Sequence, residues 1–180
     1  SRTDRLIENY AQHISIPWRP DSAAAQRVIF CVYPETDELR LRAQLDEFGI
    51  RTRSADHDWA LFDVTDSFPD WMSTQKYAKS YFADPSKLST LLGKYEDFVA
   101  ENFKAFCTEK NVTANDVVAL SGVGSLFGFL KVKSLVERLA SKVPGRLVVL
   151  FPGSYEDNNY RLLDAYDGWD YLAVPITADQ

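Results

Sequence analysis

Histidine and cysteine occur only twice each in this sequence, and methionine once. A Ser–His–acid mechanism needs an imidazole placed to take a proton, and neither His13 nor His57 sits within a recognisable motif. His57 reads as an exposed loop residue, and His13 closes a short helix, where positive charge is favoured. Structural zinc sites draw three or four ligands from Cys and His at close spacing, so two scattered histidines and cysteines argue against zinc. Cys31 and Cys107 lie far apart in apolar surroundings and read as buried free thiols. No apolar run reaches the eighteen or so residues that span a bilayer. SRTDRLIENYAQHISIPW, at the start, has no apolar stretch of the signal-peptide kind, so a cytoplasmic, membrane-free protein is expected. Positive charge is also in deficit: the formal net charge is −6 over 180 residues. Tight nucleic-acid binding draws on Lys and Arg displacing counterions, so direct strong binding of that kind is not expected.

What the sequence does have is apolar pattern. QRVIFCVYP (26–34) is a continuous β-branched and aromatic run stopped by proline, which suits a strand buried on both faces. ALFDVTD (60–66), NDVVALSGVG (115–124), GRLVVLFPG (145–153) and WDYLAVPI (169–176) supply four further strands. Between them lie helical patterns. DRLIENYAQH (4–13) is a short amphipathic helix. ETDELRLRAQLDEFGI sets Leu39, Leu41, Leu45 and Phe48 on one stripe and ends at Gly49, with Thr36 or Glu35 as its cap. The aromatic stretch from Ser67 to Tyr81 also reads as helical. After Asp84-Pro85, Leu88 to Phe106 keep a 3.6-residue period for about six turns, and KVKSLVERLASKV (131–143) is the last helix. Alternation without repeats or linkers predicts one α/β domain over 1–180, with 1–25 an N-terminal helix and connector. The expected core is a mainly parallel five-stranded sheet flanked by helices, Rossmann-like or P-loop-like but without a Walker A motif. Strand order is not readable from the pattern.

Ligands of such folds sit beyond the carboxyl ends of the strands. The turn after the first strand, Tyr33-Pro34-Glu35-Thr36-Asp37-Glu38, has no glycine to bring backbone N–H groups onto a phosphate, and its three acids would repel one. SGVGSLFGFLK (121–131) places Gly122, Gly124 and Gly128 between a strand and a helix. Phe127 stands where a dinucleotide fingerprint or a Walker loop wants its next glycine. A tight turn, or a weak cofactor-binding turn through exposed N–H groups, are the two readings. Asp63, Asp66, Glu156, Asp157 and Asp164 lie near strand ends and leave a carboxylate-only magnesium site open. Neither a required cofactor nor a catalytic residue is assigned.

FPGSYEDNNYRLLDAYDGWDYLAVPI (151–176) crowds acids, amides, tyrosines and an arginine between two apolar runs. Pro152-Gly153 and Gly168 bound it, so an ordered excursion or short helix is expected rather than a hairpin. Structural stitching, a partner surface and a catalytic loop are the three readings. For a partner surface the residues are Tyr155, Glu156, Asn158, Asn159, Tyr160 and Arg161, because Tyr and Arg supply much of the energy of interfaces.

QRVIFCVYPETDELRLRAQL, VVALSGVGSLFGFLKV and above all GRLVVLFPGSYEDNNYRLLDAYDGWDYLAVPI resemble the BrxB family, a small component of type 1 BREX bacteriophage-defence systems. The resemblance runs from the first helix to the last strand, departing from the family's LDARDGWNYL-like run at Tyr166 and Asp170. It implies a cytoplasmic accessory protein working with other BREX proteins, among them a methyltransferase, a large ATPase and PglZ, an alkaline-phosphatase-like protein and the partner it most implies. It carries over no catalytic residue. A non-enzymatic interaction subunit is therefore expected. The alternative is a nucleotide-binding or divalent-metal-dependent enzyme using the Gly122–Gly128 turn and the acids at strand ends.

Overall fold

The computed structural model describes residues 1–76, 80, 83–165 and 168–179. The first strand, β1 (Val28–Tyr33), is buried along its whole length. Its side chains alternate, with Val28, Phe30 and Val32 entering one core and Ile29, Cys31 and Tyr33 the other. It lies inside a parallel sheet with β2 (Trp59–Asp63), β3 (Val117–Ser121), β4 (Arg146–Glu156) and β7 (Val174–Ile176), in the order β2-β3-β4-β1-β7. These are the five parallel strands expected. The order shows that the chain leaves β1 for the far edge and marches back to β1's side. It then crosses β1 to reach β7.

One face of the sheet carries α1 (Arg2–Ile14), α2 (Glu38–Ala43) and α3 (Leu45–Ser54), which contribute Leu6, Tyr10, Leu41 and Phe48 to its core. The other carries α4 (Ser67–Ser73), α5 (Pro85–Glu109) and α6 (Val132–Ala140). Helix α1 begins with a capping box in which the Ser1 hydroxyl accepts from the Asp4 N–H and the Asp4 carboxylate accepts from the Ser1 amine. That box satisfies amide donors the first turn cannot. Helix α5 starts on Asp84, whose carboxylate accepts from the Ser86 N–H, with Pro85 in the first turn, where its missing donor is harmless. Of the expected aromatic helix, Ser67–Ser73 is helical, and its continuation through 77–79 and 81–82 lies outside the described residues.

Three expectations need correction. The helix after β1 does not end at Gly49. It breaks at Gln44 into α2 and α3, and Gly49 sits inside α3, where an added Cβ would approach Trp59 Cδ1 to 3.0 Å. Close packing on Trp59, rather than helix termination, accounts for that glycine. Leu39 leaves the stripe, 81% exposed, and neither Glu35 nor Thr36 caps the helix. Next, the polar excursion is a hairpin. Strand β4 continues past Pro152-Gly153 to Glu156 and turns through Asp157 and Asn158 into β5 (Asn159–Leu162). Both turn residues have positive φ, 51° and 65°, the pattern of a type I′ turn, whose twist matches paired strands. The expected last strand is finally two: β6 (Trp169–Asp170) pairs antiparallel with β5, and only Val174–Ile176 joins the main sheet.

Candidate functional site

At the carboxyl edge of the sheet the strands part. Beyond Ile176 the chain turns toward α1, where the Thr177 carbonyl accepts from Asn9 Nδ2 at 2.8 Å. Strand β4, meanwhile, leaves the main sheet to pair with β5. A cleft of about 420 Å³ opens in this gap, lined by Arg2, Tyr33, Asp37, Ser154, Tyr155 and Glu156 among others. Asp37 is buried and accepts from Arg2 Nη2 at 3.0 Å, which ties the start of α1 to the turn after β1. Burial, and then the bond its hydroxyl donates to Glu38 at 2.6 Å, hold the Tyr33 phenol far above its ordinary range, so it stays protonated. Arg2 and Asp37 escaped a reading by motif. The signal was there in the second acid of a turn at a strand's carboxyl end, the place where this architecture puts its sites.

The hairpin register sorts the six predicted interface residues. Residues directly opposite in an antiparallel pair share a face, and here Tyr155 faces Tyr160, Glu156 faces Asn159 and Ser154 faces Arg161. Tyr160 is wholly buried, its ring 4.5 Å from that of Phe30 and its hydroxyl donating to the Ala173 carbonyl at 3.1 Å. Its burial keeps the phenol neutral, well above the usual range. Tyr155 is half-buried against it, the ring centres 4.7 Å apart, and donates to Asn158 Oδ1 at 3.2 Å. Glu156, Asn158, Asn159 and Arg161 are exposed. Arg161 Nη1 donates to the Ala165 carbonyl at 2.9 Å, which closes the far end of the excursion. The segment is thus a lock on its tyrosine face and a polar surface on the other.

The glycine turn bonds several of its own donors. Gly122 adopts φ +79° ahead of a single 3₁₀ turn, and the N–H groups of Ser125, Phe127 and Phe129 donate to the carbonyls of Gly122, Gly124 and Leu126. Gly124 packs against Pro152 and Leu163, while Gly128, φ +83°, has open space where a Cβ would stand. The three glycines therefore build a tight turn, and those bonded N–H groups do not point at a common anion. Among the described residues no three His, Cys, Asp or Glu side chains gather in a metal-sized group. Asp63 instead accepts from the Thr65 N–H and hydroxyl. His57 stacks on Trp18, ring centres 3.7 Å apart, and its Nδ1 lies 2.7 Å from the Asn115 carbonyl. His13 is half-buried. Both thiols are buried, and Cys31 is pushed strongly toward its protonated form by that burial. No helix among the described residues is long and apolar enough to cross a membrane.

Residues 66–176, well over half of the chain and all of the segment from α4 to β7, match the family model described as BREX protein BrxB. The chain belongs to the BrxB family. That makes it an accessory component of BREX bacteriophage defence, with other BREX proteins as its expected company. No curated protein and no solved structure matches it. The BrxB match takes in the hairpin but not β1 or α1, so the cleft is walled by matched residues on the β4 side and unmatched ones on the other. Of the two departures from the family's run, Tyr166 lies outside the described residues, and Asp170 approaches Lys133 Nζ to 3.7 Å.

Proposed function

We propose that this BrxB-family chain is a non-enzymatic interaction subunit of the BREX machinery and that PglZ is the component it binds. The binding surface on this reading is the exposed side of the β4–β5 hairpin, with Glu156, Asn158, Asn159 and Arg161, together with the cleft at its base, where Tyr155 and Arg2 stand. The observation that carries the reading is the division of labour within the hairpin. Tyr160 and the aromatic rings around it fix the ribbon from below, so the polar side chains above are held in place before any partner arrives. Preorganisation of that kind lowers the ordering cost of association. Polar side chains on rigid backbone, with one arginine and one half-buried tyrosine, suit a protein partner of mixed charge. The glycine turn, with its Ser125, Phe127 and Phe129 N–H groups bonded to its own carbonyls, lends no comparable support to a nucleotide.

The test is co-expression with each BREX component and affinity capture, followed by quantitative binding to PglZ. Capture of PglZ and at least about a tenfold weaker complex for Arg161→Glu, near 1.4 kcal/mol, is the expected result, with a melting temperature within about 2 °C of the parent. Failure to associate with any BREX component would end the reading. Association with a different component would remove PglZ from it.

A further inference from the structure

The cleft at the foot of the hairpin has a strand edge for one wall. Strand β1 runs between β4 and β7 as far as Tyr33, which pairs with Pro152 and is followed by Pro34. Beyond that point β4 continues from Gly153 to Glu156 with no strand on the side that β1 occupied. The cleft of about 420 Å³ opens there, lined by residues 153–156 of β4 and by residues 177–179, which follow β7.

The phase of the hydrogen bonds fixes what that edge presents. The Arg146 N–H donates to the Asp116 carbonyl at 3.0 Å, just before β3, so Arg146 and every second residue after it direct their backbone groups to the β3 side of β4. Pro152 is one of them, and its carbonyl accepts from the Leu163 N–H at 2.8 Å. Strand β5 therefore takes the β3 side of β4, opposite β1. Bonded and unbonded residue pairs alternate in an antiparallel ladder. Counted from Pro152 and Leu163, Ser154–Arg161 and Glu156–Asn159 are bonded pairs, and Tyr155–Tyr160 is not. Tyr155 thus turns its backbone N–H and C=O away from β5 and into the cleft, where no strand among the described residues pairs with them. The facing wall has its carbonyls engaged, that of Thr177 by Asn9 Nδ2 and that of Ala178 by Arg5 Nε at 3.4 Å.

From this edge we infer that the cleft receives an extended segment of the partner protein, which adds to β4 as a strand in the line that β1 vacates and alternates basic with apolar side chains. An unpaired strand edge is a template for another chain, and main-chain bonds of this kind supply affinity while alternate side chains supply selectivity. The Tyr155 ring, 4.7 Å from that of Tyr160, holds the edge in place beforehand. Strand alternation puts Tyr155 on one face of the ribbon and Ser154 and Glu156 on the other. A guest side chain on the first face packs on the tyrosine ring, and one on the second meets a carboxylate. Among the charged residues of the cleft, Arg2 is engaged by Asp37 at 3.0 Å, which leaves Glu156 and Asp179, both exposed. That balance favours lysine or arginine in the guest and disfavours an anion. The inference rests on the interaction-subunit reading above and adds to it the way the partner is held.

Residue-level hydrogen exchange of the full chain, free and bound to the BREX component it captures, reads the edge at the Tyr155 amide. Exchange there is expected to slow at least about tenfold in the complex. Two variants isolate the backbone group. Tyr155→Ala removes the ring and keeps the N–H, whereas Tyr155→Pro removes both and takes no bond from the β4–β5 ladder, in which that N–H has no part. Tyr155→Pro should bind at least about tenfold more weakly than Tyr155→Ala. Should Tyr155→Pro fail to fold, the exchange measurement on the parent decides. Glu156→Gln combined with Asp179→Asn should weaken the complex about threefold or more at low salt and flatten its salt dependence. A complex in which the Tyr155 amide exchanges as fast as in the free chain, or equal affinities for the Ala and Pro variants, overturns the added strand and leaves the interaction-subunit reading standing. Failure of every BREX component to bind overturns both.

Discussion

Replacing Tyr160 separates a locked hairpin from a free one. The ring is fully buried among Phe30, Phe151, Tyr155 and Trp169, with centres 4.5, 5.9, 4.7 and 5.4 Å away. Tyr160→Ala removes that packing and leaves a void between the sheet and the ribbon. Large aromatic truncations in a core cost about 3–5 kcal/mol, a sizeable part of the 5–15 kcal/mol that holds a typical domain together. For a chain of this length each kcal/mol lowers the melting temperature by about 2–4 °C, so a fall of roughly 6–20 °C is expected. Tyr160→Phe keeps the ring and deletes only the hydroxyl that donates to the Ala173 carbonyl. It should cost about 1–2 kcal/mol, near that of a buried hydrogen bond whose acceptor is left unpaired. Thermal melts followed by near-ultraviolet circular dichroism, which reports the aromatic cluster, measure both. If Tyr160→Ala melted within a degree of the parent, the cluster would not be what fixes the hairpin, and preorganisation of the polar face would lose its basis.

Gly153→Ala should destabilise the same element by another route, because its Cβ would fall 2.0 Å from the Arg161 carbonyl. Overpacking of this kind costs about 1–3 kcal/mol or more, visible as lost protection of the β4–β5 amides in hydrogen exchange. Thr52→Val should cost about 1–3 kcal/mol in chemical denaturation, since it strips the buried Tyr10 hydroxyl of its 2.6 Å partner. Stability should also fall as the solution is acidified below about pH 6.5. Burial and then the charge of Arg146 lower the His13 pKa in the folded chain, so the unfolded chain takes up its proton first. The contribution is complete above the unfolded value near 6.5 and is lost as pH falls through the folded one. His13→Gln, melted across pH 5 to 8, should show a flatter profile.

Local pattern was enough for the elements whose burial is uniform. The continuous apolar run at 26–34 announced a strand covered on both faces and 145–153 a further strand, and β1 and the inner part of β4 are those strands. The long period from Leu88 to Phe106 announced α5, and Asp84-Pro85 its start. The polar excursion was misread because its turn has no glycine. Asp157 and Asn158 take the left-handed conformation themselves, and a pairing partner nearby in space makes that worthwhile. Gly49 was misread for the converse reason, since a glycine can answer to a neighbour's ring as well as to its own backbone.

The sites divide in the same way. Composition and spacing alone argued against zinc and triad chemistry, and the family resemblance rested above all on the segment that ends at 176. Those conclusions depend on which residues exist and how far apart they lie along the chain. Which residues meet was decided by the sheet. The order β2-β3-β4-β1-β7 places Asp63 beside Ser121 and sets Tyr33 and Glu38 near them, though 33, 63 and 121 are remote in sequence. Likewise the parting of β4 from β7 brings Arg2 and Asp37 to the foot of the hairpin. Periodicity reports the face a residue turns toward its own element's neighbours. Strand order and register, which no local pattern contains, settle what stands on the other side.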